Sequence, residues 1–238
     1  MPQLNQIEPI QINENDILPN WDWDRVIPAP GPMAIDFEER VDFRRLHRYR
    51  LGRTQKALAE SDLGAILCFD NNNIRYITSC VIGEWARDKI CRYSLLTRSS
   101  NPYLWDFGSA AAHHRLHAPW LENDHCLAGM LGLRGSVNAD AGLFKRAAQE
   151  IVDLLRKDGV AEMPLGVDIV EPPMLFALQE EGLDVRDVQQ VMLNARQIKS
   201  MDEIVLLNMS ASIVDGVYQV IAENLKPGMR ENQLVAMA

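Results

Sequence analysis

The side chains best suited to chemistry are concentrated between Trp85 and His117. They form three short groups: Trp85-Ala86-Arg87-Asp88, then Trp105-Asp106, then His113-His114-Arg115-Leu116-His117. Arginine binds carboxylates through parallel hydrogen bonds, histidine exchanges protons near neutral pH, and the face of tryptophan attracts cations. This stretch is the densest group of functional side chains in the sequence.

Within this stretch, the spacing of His113 and His117 permits a metal site. On a helix, residues four apart share one face, as paired metal ligands often do. The residues between them are His114, Arg115 and Leu116, so no HExxH motif is formed, and the charge of Arg115 opposes a cation. The pattern therefore favours a structural or interfacial histidine cluster over a metal site.

Other motifs give little support for catalysis or nucleotide binding. Gly129, Gly132 and Gly135 do not form G-x-G-x-x-G, and the sequence contains no G-x-S-x-G. Asp168, in the run LGVDIV, has the position of an ordinary residue at the end of a strand. The four cysteines show no CxxC spacing, which favours free thiols in apolar surroundings.

Apolar periodicity predicts helices and strands in alternation, which is typical of an α/β layered domain with a mixed sheet. The predicted helices are 42–61, 108–116, 142–158 and 174–181. The predicted strands are 64–69, 76–79, 92–97, 102–106, 165–170 and 183–185. Residues 124–135 are predicted to be mostly loop or edge strand, because three glycines interrupt them.

Near the end of the sequence, one helix start is marked clearly. Ser200 and Glu203 have the spacing of a capping box, and apolar residues then recur at helical spacing from Ile204 to Ile221. Pro227 and Gly228 are expected to end this helix. A second helix opens near Arg230, and because the sequence ends inside it we expect the chain to be interrupted.

Two stretches resemble the creatinase, prolidase and aminopeptidase P superfamily. The first reads A-R-x-I-K-S-x-x-E-I from Ala195 to Ile204 and is followed by L-x-P-G-M-x-E from Leu225 to Glu231. This pair of motifs is similar to the joint between the N-terminal domain and the metal-binding "pita-bread" domain of that superfamily. Upstream, 64–70 and 73–78 are similar to the first strand and following turn of the N-terminal domain. The resemblance extends over 42–238.

The resemblance implies a domain organisation. Residues 1–41 lie outside the resemblance; six prolines before Glu39 predict an extended arm there, which either packs through Trp21 and Trp23 on the body or a second subunit or is a loose leader. Residues 42–195 would form a three-layer α/β domain like the N-terminal domain of creatinase, with a mixed sheet. Residues 196–238 would form the linker and the first helices of an incomplete pita-bread domain.

The resemblance also implies a metal-dependent reaction. In the superfamily one or two divalent ions (Mn, Co, Zn or Fe) are held by two Asp, one His and two Glu, all expected beyond Ala238. Such ions activate water and polarise a carbonyl. The activity implied first is an Xaa-Pro peptidase acting on small peptides; creatine hydrolysis and dimethylsulfoniopropionate cleavage occur in the same superfamily. A non-catalytic dimerisation or binding module is a further alternative, and we expect this chain alone to be inactive.

Members of the superfamily are commonly homodimers, in which one N-terminal domain can border the partner's active site. The resemblance therefore implies a substrate rim formed by Trp85, Arg87, His113 and His114. Arg87 would face a substrate carboxylate, the histidines would supply hydrogen bonds, and Trp85 would face an aliphatic or cationic group. These side chains are expected to converge on one exposed concave surface.

Composition argues against nucleic-acid and membrane partners. The formal net charge is −9, and the arginines between Arg44 and Arg53 are spaced like a solvated helix face. The sequence shows neither a signal peptide nor a continuous apolar run of 18 residues. A reducing cytoplasm is therefore the expected location.

Overall fold

The computed structural model describes residues 7–17, 41–80, 91–129 and 138–237. These residues divide into two units. The first contains 7–12 and the described part of 47–198, and the second contains 13–17, 41–46 and 199–237. Most of the predicted arm, with Trp21 and Trp23, and the site residues Trp85 and Arg87 lie outside the described residues. The predicted domain boundaries stay a prediction.

The first unit is organised on a mixed six-stranded sheet in the order β4-β3-β2-β1-β5-β6. Its strands are β1 (Ala65–Cys68), β2 (Tyr93–Thr97), β3 (Tyr103–Asp106), β4 (Cys126–Ala128), β5 (Leu165–Val167) and β6 (Val185–Asp187). β1 pairs antiparallel with β2, opposing Ile66 to Leu96, and parallel with β5, opposing Ile66 to Gly166. β2 and β3, which correspond to the strands predicted at 92–97 and 102–106, pair as an antiparallel hairpin, and β4 lies at an edge of the sheet.

Helices cover both faces of this sheet. They are α2 (Phe43–Ala59), α3 (Asn71–Thr78), α4 (Gly108–His117), α5 (Leu143–Lys157), α6 (Pro172–Glu180) and α7 (Gln189–Arg196). Since side chains alternate along a strand, Leu67 packs with α5 and α6, while Ile66 packs in a second cluster with residues of α2, α3 and α7. Both side chains are fully buried, as expected for a sheet that is covered twice. The predicted three-layer α/β fold with a mixed sheet is confirmed.

One predicted strand is wrong. Residues 76–79 do not form a strand but end α3, which begins after Asp70. The Asp70 side chain accepts hydrogen bonds from the amides of Asn72 and Asn73, and this N-cap starts a helix where a turn was predicted. Ile74 and Ile77 then point into the core at helical spacing. In addition, the stretch after Val188, not assigned from sequence, forms α7.

Three helices lie wholly within the described residues of the second unit: α1 (Glu14–Ile17), α8 (Met201–Asn224) and α9 (Glu231–Val235). The capping box at the start of α8 is confirmed, because Ser200 Oγ accepts from Glu203 N at 3.4 Å and Glu203 Oε2 accepts from Ser200 N at 3.0 Å. Arg45, in the first turn of α2, pairs with Asp202 in the first turn of α8. The first turn of α8 is therefore tightly held.

The remaining turns of α8 expose the apolar residues that gave the sequence its helical period. Leu207 is 55%, Val214 50% and Tyr218 67% exposed. By length and composition alone, α8 could also cross a membrane, since an 18-residue window has a mean hydropathy of 1.5. The sequence has no continuous apolar run of 18 residues, because polar residues interrupt this helix; α8 meets the criterion through its average hydropathy.

Candidate functional site

A buried ionic cluster lies where β3 ends and α4 begins. Asp106 Oδ2 accepts hydrogen bonds from Arg92 Nε at 2.7 Å and His114 Nε2 at 2.8 Å. Asp106 Oδ1 accepts from Phe107 N at 2.9 Å. β3 carries Asp106 into the core, Arg92 immediately precedes β2, and His114 lies on the inner side of α4. Three separate elements therefore supply one polar cluster.

The charges in this cluster are balanced. Burial alone would raise the pKa of Asp106, but the hydrogen bonds from His114 and Arg92 outweigh it and lower that pKa. An ionised carboxylate only accepts hydrogen bonds, so His114 carries its proton on Nε2. Arg92 Nη1 is buried and, among the residues that the structure describes, has no hydrogen-bond partner. Because Asp106 is fully buried and His114 nearly so, the cluster fixes α4 on the sheet, and its groups are too enclosed to reach a substrate.

The outer side of α4 carries His113 and His117, and their ring centroids are 4.3 Å apart. Both are exposed, so the predicted shared face is confirmed. His114 does not share this exposure, because its ring is turned inward to Asp106. His114 therefore does not contribute to the predicted exposed rim, which is a correction. Since Trp85 and Arg87 lie outside the described residues, the convergence of these two with His113 on one surface stays a prediction.

A second polar cluster surrounds the end of α3. His47 Nδ1 lies 2.9 Å from Ser79 Oγ, and the His47 ring is 5.5 Å from the Trp120 ring. Ser79 has a left-handed backbone with φ of +52°, which is unfavourable for a residue with a side chain. Burial, assisted by the charge of Arg50, lowers the pKa of His47 to about 4. His47 is therefore neutral at pH 7.

Asp168 has the structural role that its position at a strand end suggested. Its Oδ1 accepts from the amides of Phe69 at 2.8 Å and Ile169 at 2.6 Å. Its Oδ2 accepts from Asp70 N at 3.1 Å and Asn73 Nδ2 at 2.9 Å. Both oxygens of this carboxylate thus accept hydrogen bonds from the segments that follow β1 and β5. Asp168 therefore connects the ends of these two neighbouring strands.

Among the described residues, one group of three side chains could hold a metal ion: Glu122, Asp124 and His125, whose ligand atoms lie within 4.8 Å of one another. His113 and His117 do not join such a group of three. Sequence reasoning missed this cluster and also missed Arg92 as a partner of Asp106. Three potential ligands within four positions were a usable signal for the first, whereas nothing local marked the second.

The chain has relatives in sequence. It is 26% identical over 189 residues to the dimethylsulfoniopropionate lyase DddP of Roseovarius nubinhibens, covering 74% of this chain and 41% of that protein. It is 29% identical over 184 residues to the DddP of Roseobacter denitrificans, covering 73% and 40%. The chain thus spans about two fifths of the length of these curated relatives. No protein-family profile matches it.

Solved structures share its fold. An Xaa-Pro dipeptidase from Bacillus anthracis aligns with a TM-score of 0.57 at 16% identity, covering 79% of this chain and 46% of that one. The prolidase from Pyrococcus furiosus aligns with a TM-score of 0.53 at 15% identity, covering 78% and 50%. The α/β fold of this chain is therefore that of the prolidases and Xaa-Pro dipeptidases, which confirms the fold expected from the resemblance to the creatinase, prolidase and aminopeptidase P superfamily.

Proposed function

We propose that this chain is the N-terminal part of a metal-dependent enzyme of the creatinase and prolidase superfamily. In this proposal it supplies dimer contacts and one rim of an active site whose metal ligands follow Ala238. The observation that carries the proposal is the uncovered apolar side of α8, which begins with a fully formed cap and then exposes Leu207, Val214 and Tyr218.

The two ends of α8 differ in how well they are supported. At its start, Asp202 and Glu203 are buried and their carboxylates are used by Arg45 and by the capping box. Beyond its first turn, the helix buries none of its most apolar window. Large exposed apolar surfaces usually mark an interface. We infer that further polypeptide, folded as the metal-binding domain, covers this side.

A divalent ion (Mn, Co, Zn or Fe) is part of the proposal, but the described residues do not supply its ligand set. The superfamily uses two Asp, one His and two Glu, whereas the described residues bring together only Glu122, Asp124 and His125. When bound, the ion would supply an activated water or a polarised carbonyl.

For the reaction itself, the relatives in sequence favour a lyase over the peptidase predicted first. Both curated matches are dimethylsulfoniopropionate lyases, at 26% and 29% identity, whereas the likeness to prolidases at 15–16% extends to the fold alone. We therefore propose cleavage of a sulfonium carboxylate such as dimethylsulfoniopropionate. In this elimination a base removes a proton from the carbon next to the carboxylate, a carbon–carbon double bond forms and the carbon–sulfur bond breaks, giving acrylate and dimethyl sulfide.

Xaa-Pro hydrolysis is the second candidate, because the peptidases share the fold. The experiment is to express the protein encoded by the reading frame extended past Ala238, load it with manganese, and offer both substrates. Release of dimethyl sulfide without proline supports the lyase, and proline release from an Xaa-Pro dipeptide supports the peptidase. Neither product, or a stop codon directly after Ala238, would favour a non-catalytic dimerisation or binding module.

The rim role belongs to the same proposal. His113 faces solvent on α4 and is held there because His114, beside it, is anchored to Asp106. We propose that His113, Trp85 and Arg87 contact the substrate of a partner subunit in a homodimer, and that His114 positions α4 from the inside. A cytoplasmic location is proposed with it. In the extended protein, His113→Gln is expected to raise KM more than it lowers kcat.

A further inference from the structure

We propose that Glu122, Asp124 and His125 form a binding site for a first-row divalent cation such as Zn²⁺. The three residues lie in and just before the 3₁₀ turn Asn123–His125, which leads into the edge strand β4. Their ligand atoms all lie within 4.8 Å of one another. An imidazole with two carboxylates is a ligand set that suits zinc and its neighbours in the periodic table.

The strongest support comes from the state of His125. Its side chain is only 5% exposed, yet within the described part of the chain its Nδ1 has no hydrogen-bond partner. Its Nε2 approaches Glu122 Oε2 at 3.6 Å, which is longer than a hydrogen bond. Buried imidazoles normally have their nitrogens satisfied. The imidazole therefore lies beside the carboxylates of Glu122 and Asp124, with ligand atoms of all three residues within 4.8 Å of one another, and can offer a nitrogen to an ion bound between them.

The geometry needs only a small adjustment. Ligands about 2.1 Å from a tetrahedral ion are roughly 3.4 Å apart from each other. The separation of His125 Nε2 and Glu122 Oε2, 3.6 Å, is already close to that value. Glu122 and Asp124 are exposed, so a change of rotamer can bring their oxygens onto the ion without moving the backbone.

Neighbouring groups hold two of the ligands in place, as groups around metal sites usually do. The His125 ring is stacked on Tyr103 with centroids 3.9 Å apart, which fixes the plane of the imidazole. Asn101 Nδ2 donates to Glu122 Oε1 at 2.8 Å, leaving Oε2 for the ion. Lys157 interacts electrostatically with Asp124 and therefore competes with a bound cation.

The test is calorimetric titration of Zn²⁺ into the 238-residue chain in a His113→Gln/His117→Gln background, which removes the exposed histidine pair on α4. We expect one ion per chain. His125→Gln and Glu122→Gln should each weaken binding at least tenfold, and Lys157→Met should strengthen it. Asp153→Asn, an exposed carboxylate outside the cluster, is the matched control and should change nothing.

A spectroscopic readout separates a built site from loose surface binding. Co²⁺ in place of Zn²⁺ should give the intense visible absorption of a low-coordinate site, and Glu122→Gln should abolish it. Because Glu122 is exposed, this variant retains the fold, which circular dichroism verifies. Absence of binding, or equal affinity in the parent, Glu122→Gln and His125→Gln proteins, would overturn the proposal whether or not the proposed enzymatic function holds.

Discussion

Arg45 and Asp202 lie 157 positions apart in the sequence and form a two-point ion pair. Arg45 Nε donates to Asp202 Oδ2 at 2.8 Å, and Nη2 donates to Oδ1 at 2.7 Å. Asp202 is fully buried and also accepts from the amide of Asp42 at 3.3 Å. The pair ties the first turn of α8 to the first turn of α2 within the second unit.

Breaking this pair is expected to destabilise the second unit. Arg45→Met leaves the buried carboxylate of Asp202 without its counter-charge, and such a loss costs roughly 3 kcal/mol. Urea unfolding followed by circular dichroism measures the change. Lys56→Met on the same helix is the control, because Lys56 pairs with Glu60 in an exposed position and is expected to contribute less than about 0.5 kcal/mol. Equal effects of the two variants would contradict the expectation.

Stability is expected to decline between pH 6.5 and 4 because of His47. Burial lowers the pKa of His47 to about 4 from an ordinary value near 6.5. Within that window the unfolded chain takes up a proton that the folded chain excludes, so stability is complete above pH 6.5 and falls as the pH falls. The difference between the two pKa values corresponds to a loss of up to about 3 kcal/mol in the free energy of unfolding.

The His47→Gln variant tests the assignment. Glutamine can still hydrogen-bond with Ser79 but does not titrate, so its unfolding free energy is expected to change less between pH 6.5 and 4 than that of the parent protein. His117→Gln, at an exposed position on α4, should retain the parent profile. If His47→Gln shows the same pH dependence of the unfolding free energy as the parent protein, groups other than His47 cause the acid sensitivity.

Asp106 is expected to be essential for the packing of α4. Asp106→Asn removes the charge that balances buried Arg92 and weakens the hydrogen bond from His114, with an expected cost of roughly 3 kcal/mol. Hydrogen exchange of the α4 amides should accelerate together with the loss of stability. Asp153→Asn, whose pair with Arg156 is exposed, should leave both unchanged. Unaltered exchange in Asp106→Asn would show that the cluster does not hold this helix.

The apolar side of α8 is expected to bind hydrophobic dyes and to promote self-association of the 238-residue chain. Changing Leu207, Val214 and Tyr218 together to glutamine should reduce both, with little effect on the unfolding midpoint, because these side chains are exposed. Dye fluorescence and light scattering measure the change. In the extended protein the same triple change should lower stability, because the downstream domain packs there in our proposal.

A bilayer is the competing occupant of α8, since the helix is long and apolar enough to cross one. Our proposal predicts that, in a density gradient in which neutral lipid vesicles float, the extended protein stays in the dense bottom fraction. Recovery with the vesicles, lost in the triple glutamine variant, would assign α8 to the membrane and withdraw the cytoplasmic location.

Local signals in the sequence were enough to predict most of the sheet and the start of α8. The hairpin of β2 and β3 is bounded by a polar turn, β1 is a short apolar run, and Ser200 with Glu203 forms a cap that needs only four residues. In each case the signal and the structure that it determines lie within a few positions of each other.

The wrong or missing predictions concern residues whose local sequence signal is ambiguous, or whose structure is determined by tertiary contacts. α3 has eight residues, too few for a helical period to be separated from alternation, and its cap depends on Asp70, which also suits a turn. His114 has the same type as its exposed neighbour His113, and only its contact with Asp106 distinguishes them. A partner eight positions away in another element could not be predicted from spacing alone.

The placement of β1 has a consequence for how the first unit folds. In the described sheet, β2 to β4 and β5 to β6 make their backbone pairings on opposite sides of β1, so neither group can join the other until β1 is in place. Residues 65–68 therefore control cooperativity. A destabilising substitution in this strand would separate the two groups of strands and leave partly ordered intermediates. An equally destabilising substitution in β4 or β6 would loosen only that edge of the sheet.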